Sequence, residues 1–172
     1  PKGLIPALDV ISVDHFEAGR IAAGFLRDKV GLEARVAFFH GPIAQNAQER
    51  MTGGFLQVFP NARIFASEQR VNVGFTKVAT RVARERLDGV FCSNTGVGRE
   101  LLRACMAAGE SAPRLICFDN YKFSEKHRLS VVQAPYKDVA AAALSIIINR
   151  MKGDSSPPSH VVFKPVLIER DS

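Results

Sequence analysis

The sequence has few of the features that mark several large classes of protein. It contains three cysteines, an odd number, and no Cys-x-x-Cys motif, which argues against a disulfide framework and a structural zinc site. No apolar run reaches eighteen residues, so no transmembrane helix is predicted. The proline-broken start is unlike a signal peptide. These absences favour a cytoplasmic protein without membrane contact, and the missing initiator Met suggests a piece of a longer chain.

Motifs for catalysis, phosphate binding and metal binding are also absent. There is no phosphate-loop pattern, no Gly-x-Ser-x-Gly and no His-Glu-x-x-His, and the four histidines show no metal spacing. Gly96 and Gly98 resemble the start of a dinucleotide fingerprint, but its third glycine would fall at Leu101. Cys92 and Cys117 lie in apolar runs typical of core thiols, although a catalytic pairing of either stays open. We therefore predict no enzyme, no cofactor and no metal.

The charge of the chain is basic but dispersed. The formal net charge is +6, and Lys and Arg are scattered along the sequence without a dense cluster. A nucleic-acid-binding surface would account for the positive charge, but basic residues interleaved with aromatics are missing. A solvated surface is the simpler interpretation. With 47% apolar and 23% charged residues, the composition predicts an ordinary globular domain.

Apolar runs alternate with helical patterns along the chain. Asp14 followed by Glu17 has the spacing of a capping box at a helix start. Regular alternation with short connections predicts an α/β fold of three layers, Rossmann-like, with a mainly parallel sheet and helices on both faces. Strands are predicted near residues 10–14, 35–40, 62–66, 88–92, 114–118, 130–132 and 161–168, the last interrupted by Pro165. Helices are predicted near residues 14–29, 46–59, 75–86, from 94 onward, and 135–151.

Polar residues gather where the predicted strands end. In open parallel sheets ligands bind at the carboxyl ends of the strands, and amides, carboxylates and guanidinium groups match the hydroxyls of a sugar. The candidate ligand-binding residues are Asn46, Arg50, Asn94, Asp119 and Gln133. Each has another interpretation: the two asparagines fit helix N-caps, the arginine a solvated surface position, the aspartate a turn cap, and the glutamine a structural crossover.

Six segments, in order, resemble the lactose-repressor/galactose-repressor family of transcription regulators. Val13-Asp14 with Ala18-Gly19 is similar to its V-D-x-x-x-A-G segment. Gly41-Pro42 with Arg50-x-x-Gly53 resembles its strand, G-P and R-x-x-G segment. Residues 89–94 resemble a strand ending in Asn-Asp, and residues 116–120 resemble V-G-F-D-N. Residues 131–135 resemble T-V-x-Q-P, and residues 165–172 resemble the closing P-x-L-I-x-R-x-S segment.

The resemblance implies a periplasmic-binding-protein-like effector domain of two subdomains, of which most of the first and the DNA-binding headpiece are missing. It assigns residues 10–133 to the C-terminal subdomain, 135–152 to a crossover helix and 160–170 to a final strand. It implies a homodimer that senses a sugar or sugar-like effector and contacts operator DNA only through the headpiece. Four of the candidates, Arg50, Asn94, Asp119 and Gln133, fall where the family's effector contacts lie. A periplasmic solute-binding protein of a sugar transporter is the alternative.

Three positions depart from the family's pattern. Thr95 stands where Asp is usual, and an extra glycine, Gly54, separates Gly53 from Phe55. Gln69 or Arg70 replaces an aromatic on the loop before Gly74. Without that stacking aromatic, a purine or an ordinary pyranose is less favoured, which leaves room for a more polar or acidic effector.

Overall fold

The computed structural model describes residues 9–41, 46–66 and 79–170. Residues 79–83 are helical and are called α3 here; the rest of the helix predicted over 75–86 and the loop around Gln69 and Arg70 lie outside the described residues. The strands are β1 (Val10–Val13), β2 (Val36–His40), β3 (Arg63–Ala66), β4 (Gly89–Cys92), β5 (Arg114–Phe118), β6 (Ser130–Gln133), β7 (His160–Phe163) and β8 (Val166–Ile168). The other helices are α1 (His15–Val30), α2 (Asn46–Val58), α4 (Thr95–Ala108), α5 (Lys122–Lys126) and α6 (Tyr136–Met151).

The main sheet has six strands in the order β3-β2-β4-β5-β6-β8. All neighbouring strands run parallel except β6 and β8, which are antiparallel. Parallel strands require crossover connections, and the helices between the strands supply them. The predicted α/β class with a mainly parallel sheet is confirmed.

Helices cover both faces of this sheet. Side chains alternate between the faces along each strand, so Phe38 packs in the cluster with α1 and α2, while Phe39 packs in the cluster with α3 and α4. Every residue of β2 is buried, which explains why its sequence is a continuous apolar run rather than an alternating one. The three layers are those predicted.

The first predicted strand and the first half of the last one lie outside the main sheet, which was not expected. β1 pairs in parallel with β7, with Val10 opposite His160, in a separate two-stranded sheet. The strand predicted over 161–168 is two strands in two sheets, because Pro165 has no N–H for a ladder and separates β7 from β8. A single run of strands through one sheet was therefore wrong at both ends of the chain.

Helices α1 and α2 touch each other through backbone at two glycines. A Cβ on Gly19 would lie 2.0 Å from the Met51 carbonyl oxygen, and one on Gly54 would lie 1.9 Å from the Phe16 carbonyl oxygen. Any larger side chain at either position would force the helices apart. The extra glycine noted in the sequence is thus the residue that permits this close approach.

The capping pattern at Asp14 is confirmed in one half. The Asp14 side chain accepts a hydrogen bond from the Glu17 N–H at 3.1 Å. Glu17 does not reach back to the backbone of Asp14, because its carboxylate binds Arg20 at 2.6 and 2.7 Å, and the Asp14 N–H donates instead to the Phe163 carbonyl at 2.9 Å. That last bond ties the start of α1 to the end of β7.

Within the described ranges, no helix is long and apolar enough to cross a membrane.

Candidate functional site

The carboxyl ends of the parallel strands bring several predicted site residues to one edge of the sheet. Asn94 follows β4 by one loop residue, Asp119 directly follows β5, and Gln133 is the last residue of β6. Because β4, β5 and β6 are adjacent and parallel, these three residues occupy neighbouring positions along that edge. A hydrogen bond links the carboxyl ends of β4 and β5: the hydroxyl of Thr95, the residue after Asn94, donates to the Asp119 carbonyl oxygen at 2.9 Å.

Asp119 is held in an unusual backbone conformation. Its φ is 69°, in the left-handed region that residues other than glycine rarely adopt. The Asp119 N–H donates to the Val132 carbonyl at 2.9 Å, and the Tyr136 hydroxyl donates to Asp119 Oδ1. Burial raises the pKa of the Asp119 carboxyl, while the Tyr136 hydrogen bond and then His15 oppose the increase. Strain with a perturbed carboxyl is typical of functional positions.

His15 of α1 lies near Asp119, and Arg50 of α2 lies near His15. His15, the first residue of α1, has its ring centroid 5.6 Å from that of Phe118. Burial, followed by the charge of Arg50, lowers the pKa of His15, and the charges of Asp119 and Asp14 act in the opposite direction. Arg50 Nη2 lies 3.5 Å from Asp14 Oδ1, and 54% of the Arg50 side chain is exposed. The site thus combines a neutral imidazole, two carboxylates and an accessible guanidinium.

The remaining predicted residues have mixed roles. Asn94 is the N-cap of α4, and its side-chain oxygen accepts from the Val97 N–H at 2.9 Å, so the cap interpretation holds for it. Gln133 is half-buried and pairs with Val166 of β8. Asn46 is the exposed first residue of α2. A ligand role for Asn46, Asn94 and Gln133 stays a prediction, as it does for Arg50 and Asp119.

Among the residues that the structure describes, three buried side-chain atoms find no hydrogen-bond partner: His40 Nε2, Gln48 Oε1 and Ser93 Oγ. His40 ends β2, and the Ser93 N–H donates to the Phe39 carbonyl at 2.9 Å, which places Ser93 beside His40. Gln48 precedes the buried Met51 by three residues on α2, so it lies on the helix face that covers the sheet. His40 Nε2 and Ser93 Oγ therefore lie near each other at the carboxyl ends of β2 and β4.

The protonation of His40 defines what this region can bind. Burial lowers the pKa of His40, which favours the neutral ring. Its Nδ1 lies 2.5 Å from the Gly41 carbonyl, a contact that requires the proton on Nδ1 and leaves a lone pair on Nε2. With the Ser93 hydroxyl beside it, His40 Nε2 is an acceptor that suits a hydrogen-bond donor. Sequence analysis missed these residues, although a histidine at the end of an apolar strand was a signal of buried polarity.

The cysteines and the Gly-x-Gly segment have packing roles. Cys92, Cys105 and Cys117 are free and buried, and burial raises the pKa of the Cys92 thiol, with Cys117 beside it adding to the effect. Such thiols resist ionisation and are poor nucleophiles. A Cβ on Gly98 would lie 2.5 Å from Cys117 Sγ, so this glycine lets α4 pack closely on β5. No group of metal-ligating side chains occurs within the described ranges.

The fold and this edge define an α/β domain of the kind that binds small molecules at the carboxyl ends of parallel strands. The chain belongs to the periplasmic binding protein-like domain family, which it matches over residues 31–172.

Relatives and solved structures point to the same kind of protein. The chain is 22% identical over 168 residues to the sucrose operon repressor of Streptococcus mutans, covering 94% of this chain and 52% of that protein. It is 28% identical over 123 residues to a probable opine utilization operon repressor of Rhizobium rhizogenes, covering 68% and 62%. A ribose-bound LacI-family transcriptional regulator from Enterococcus faecalis superimposes with a TM-score of 0.84 at 19% identity, covering 95% and 62%. The chain thus spans about half to three fifths of the lengths of these proteins.

Proposed function

We propose that this chain is the effector-binding part of a transcription regulator of the lactose-repressor type, and that its effector is a sugar or sugar-like molecule. The observation that carries the proposal is the grouping of Asp119, His15 and Arg50 at the carboxyl ends of the strands, where His15 packs on Phe118 and the charges of both Arg50 and Asp119 act on its ring. Charged and neutral groups of this kind recognise hydroxyls by paired hydrogen bonds. Both curated relatives are operon repressors, which favours a regulator over a transporter-associated solute-binding protein.

The wider biology forms part of the same proposal. The protein acts by binding rather than by catalysis, works in the cytoplasm as a homodimer, and reaches operator DNA through a separate headpiece. The assignment of residues 10–133 to one subdomain, 135–152 to a crossover helix and 160–170 to a final strand also belongs to it. In this arrangement β1 and β7 form a small sheet apart from the main one, as expected of segments that pass between two subdomains.

A thermal-shift titration tests the proposal. D-ribose, sucrose and octopine are added to the chain at concentrations up to about 100 mM, and at least one is expected to raise the melting temperature. A dissociation constant near 1–10 mM would give a stabilisation of roughly 1.4–2.7 kcal/mol at that concentration. If none of these ligands shifts the melting temperature, the proposed site does not bind this class of effector.

Arg50 offers the matched variant for this test. Its side chain is 54% exposed, so Arg50→Gln is expected to leave folding intact while weakening ligand binding by about ten- to a hundredfold, the effect of losing a charge-assisted hydrogen bond. Arg27 provides the control, because it lies in the last turn of α1 and 50% of its side chain is exposed. Arg27→Gln should bind as the unchanged protein does, and equal loss in both variants would argue against a role for Arg50.

A further inference from the structure

Tyr136 links the candidate site to the helix that follows it. It is the first residue of α6, and its hydroxyl donates to Asp119 Oδ1 while half of the residue, 51%, stays exposed. Sequence analysis gave Tyr136 no role, because its distance from Asp119 along the chain conceals the contact. The hydrogen bond joins the end of β5 to the start of α6.

The backbone of Asp119 is held on both sides. The N–H is held by Val132 and the carbonyl by Thr95, each at 2.9 Å, and the left-handed φ of 69° sets the direction in which Cβ leaves the backbone. Tyr136 occupies Oδ1, and no described residue donates to Oδ2. A carboxylate can accept several hydrogen bonds at once, so Asp119 has capacity for a further donor.

Helix α6 depends on few other contacts at its start. None of its residues is buried, and its N-cap, Pro135, makes no side-chain capping bond. The first turn is closed by the Val139 N–H, which donates to the Pro135 carbonyl at 3.0 Å. With so little packing, a single side-chain hydrogen bond is a sizeable part of what fixes the first turn in place.

We propose that Tyr136 is a positioning residue of the effector site: its hydroxyl holds the Asp119 carboxylate in the effector-free protein and gives it up to a hydroxyl of the bound effector. The inference rests on the proposed function, since it takes Asp119 as an effector contact. Occupation of the site then releases the first turn of α6 from β5. The same exchange makes Tyr136 a competitor of the effector, so it sets the affinity of the site as well as its coupling to α6.

The tyrosine content of the chain makes this exchange directly observable. The sequence has two tyrosines, Tyr121 and Tyr136, and no tryptophan. Tyr121 is 59% exposed. The substitution Tyr121→Phe removes its phenol hydroxyl and leaves Tyr136 as the only source of tyrosine fluorescence and of tyrosinate absorbance. A phenol bonded to a carboxylate emits weakly, and both burial and the Asp119 bond raise the pKa of Tyr136 well above its usual range.

The first measurement concerns the bond itself. In the Tyr121→Phe protein, Asp119→Asn is expected to increase Tyr136 emission and to lower the midpoint of its alkaline absorbance titration. Unchanged emission and an unchanged midpoint would mean that Tyr136 does not bind the Asp119 carboxylate in solution, and the inference would be overturned whatever ligand the protein binds.

The second measurement concerns the exchange. D-ribose, sucrose and octopine are titrated into the Tyr121→Phe protein, and the ligand that raises the melting temperature should also increase Tyr136 emission. Tyr136→Phe should bind that ligand roughly two- to tenfold more tightly, the factor expected when one competing hydrogen bond is lost, whereas Tyr121→Phe should bind it with unchanged affinity.

The possible failures are distinguishable. A ligand that raises the melting temperature without changing Tyr136 emission would overturn the inference and leave the proposed function standing. Weaker binding by Tyr136→Phe would also overturn it, because Tyr136 would then be a direct contact rather than a competitor. If no ligand raises the melting temperature, the proposed function fails, and with it the role of Tyr136 in effector exchange.

Discussion

Asp9 is a residue on which distant parts of the chain converge. Its carboxylate accepts from Arg150 Nε at 2.9 Å and Nη2 at 3.0 Å, and from the backbone N–H and hydroxyl of Ser159 at 2.9 and 2.8 Å. Arg150 belongs to the last turn of α6, and Ser159 immediately precedes β7. One side chain therefore connects the start of β1 to both of these segments.

These contacts predict a defined acid sensitivity. The Arg150 hydrogen bond, followed by the backbone bond from Ser159, holds the pKa of Asp9 well below its usual range. A depressed carboxyl pKa contributes stability that is fully present above the unfolded value, about 3.9, and is lost as pH falls through the folded value. Asp9→Asn should therefore lower the melting temperature at pH 7, and the difference from the unchanged protein should shrink below about pH 4.

Melting curves by circular dichroism between pH 7 and pH 2.5 check this prediction. Asp28→Asn is the control, because the Asp28 side chain is 65% exposed and pairs only with its neighbour Arg27 among the described residues. It should have almost no effect at any pH. A difference between Asp9→Asn and the unchanged protein that stays constant down to pH 2.5 would contradict the assignment.

The site was only partly predictable at this scale. Arg50, Asn94 and Asp119 could be placed at one edge because strand ends and helix starts can be read from apolar runs. His15 and Tyr136 could not, since His15 approaches Asp119 through the packing of α1 against β5, and Tyr136 approaches it from the start of α6, which follows a different strand. That the buried polar atoms of His40, Gln48 and Ser93 find no partner within the described part of the chain depends on all surrounding side chains at once, which no local pattern encodes.

At the scale of elements, the close contact between α1 and α2 restricts which residues can occupy the helix surfaces that meet there. Gly54→Ala would bring a Cβ to within 1.9 Å of the Phe16 carbonyl oxygen, a backbone atom that cannot rotate away. We expect a loss of about 1–3 kcal/mol or more in the free energy of unfolding, as for other overpacked cores.

Gly24 provides the matched control within α1. A Cβ there would meet nothing within 4 Å, so Gly24→Ala should stabilise the chain by about 0.5–1 kcal/mol through helix propensity. Urea denaturation of both variants measures the two effects. Equal stability of Gly54→Ala and Gly24→Ala would mean that the helices are further apart than the structure places them.

Secondary structure was largely predictable, and pairing was not. The predicted strands match the observed ones to within one or two residues where the apolar run is continuous, as in β2 and β5, because burial on both faces leaves a clear signal. Nothing in the sequence of β1 indicates that its partner is β7 rather than β2. Strand pairing is decided by tertiary packing, and a short strand with half-buried residues suits either arrangement.

At the scale of the whole molecule, α6 carries a large apolar surface. Leu144, Ile147, Ile148 and Met151 are 59%, 56%, 39% and 82% exposed. Beside them lies a cavity of about 460 Å³ between α6 and β1, lined mainly by apolar side chains such as Ile11 and Ile146. Contiguous apolar surface of this kind usually marks an interaction site.

We therefore expect the chain to self-associate through α6. Light scattering at increasing protein concentration should give a mass above that of the monomer, and Leu144→Glu with Ile147→Glu should restore the monomer, because the charges would be desolvated in the contact. Met106→Glu on α4 is the control, since Met106 is 81% exposed away from this surface. Association that survives the double variant would place the contact elsewhere.

The pairing of β1 with β7 has a consequence for the order of folding. Val10 lies opposite His160, so this small sheet closes a loop containing most of the chain, and the entropic cost of closure grows with the length of the loop. The six-stranded sheet contains neither strand and can form first, which shortens the distance that the two ends must still cover. Folding is then expected to finish with the pairing of β1 and β7, and unfolding to begin with their separation, before the main sheet opens.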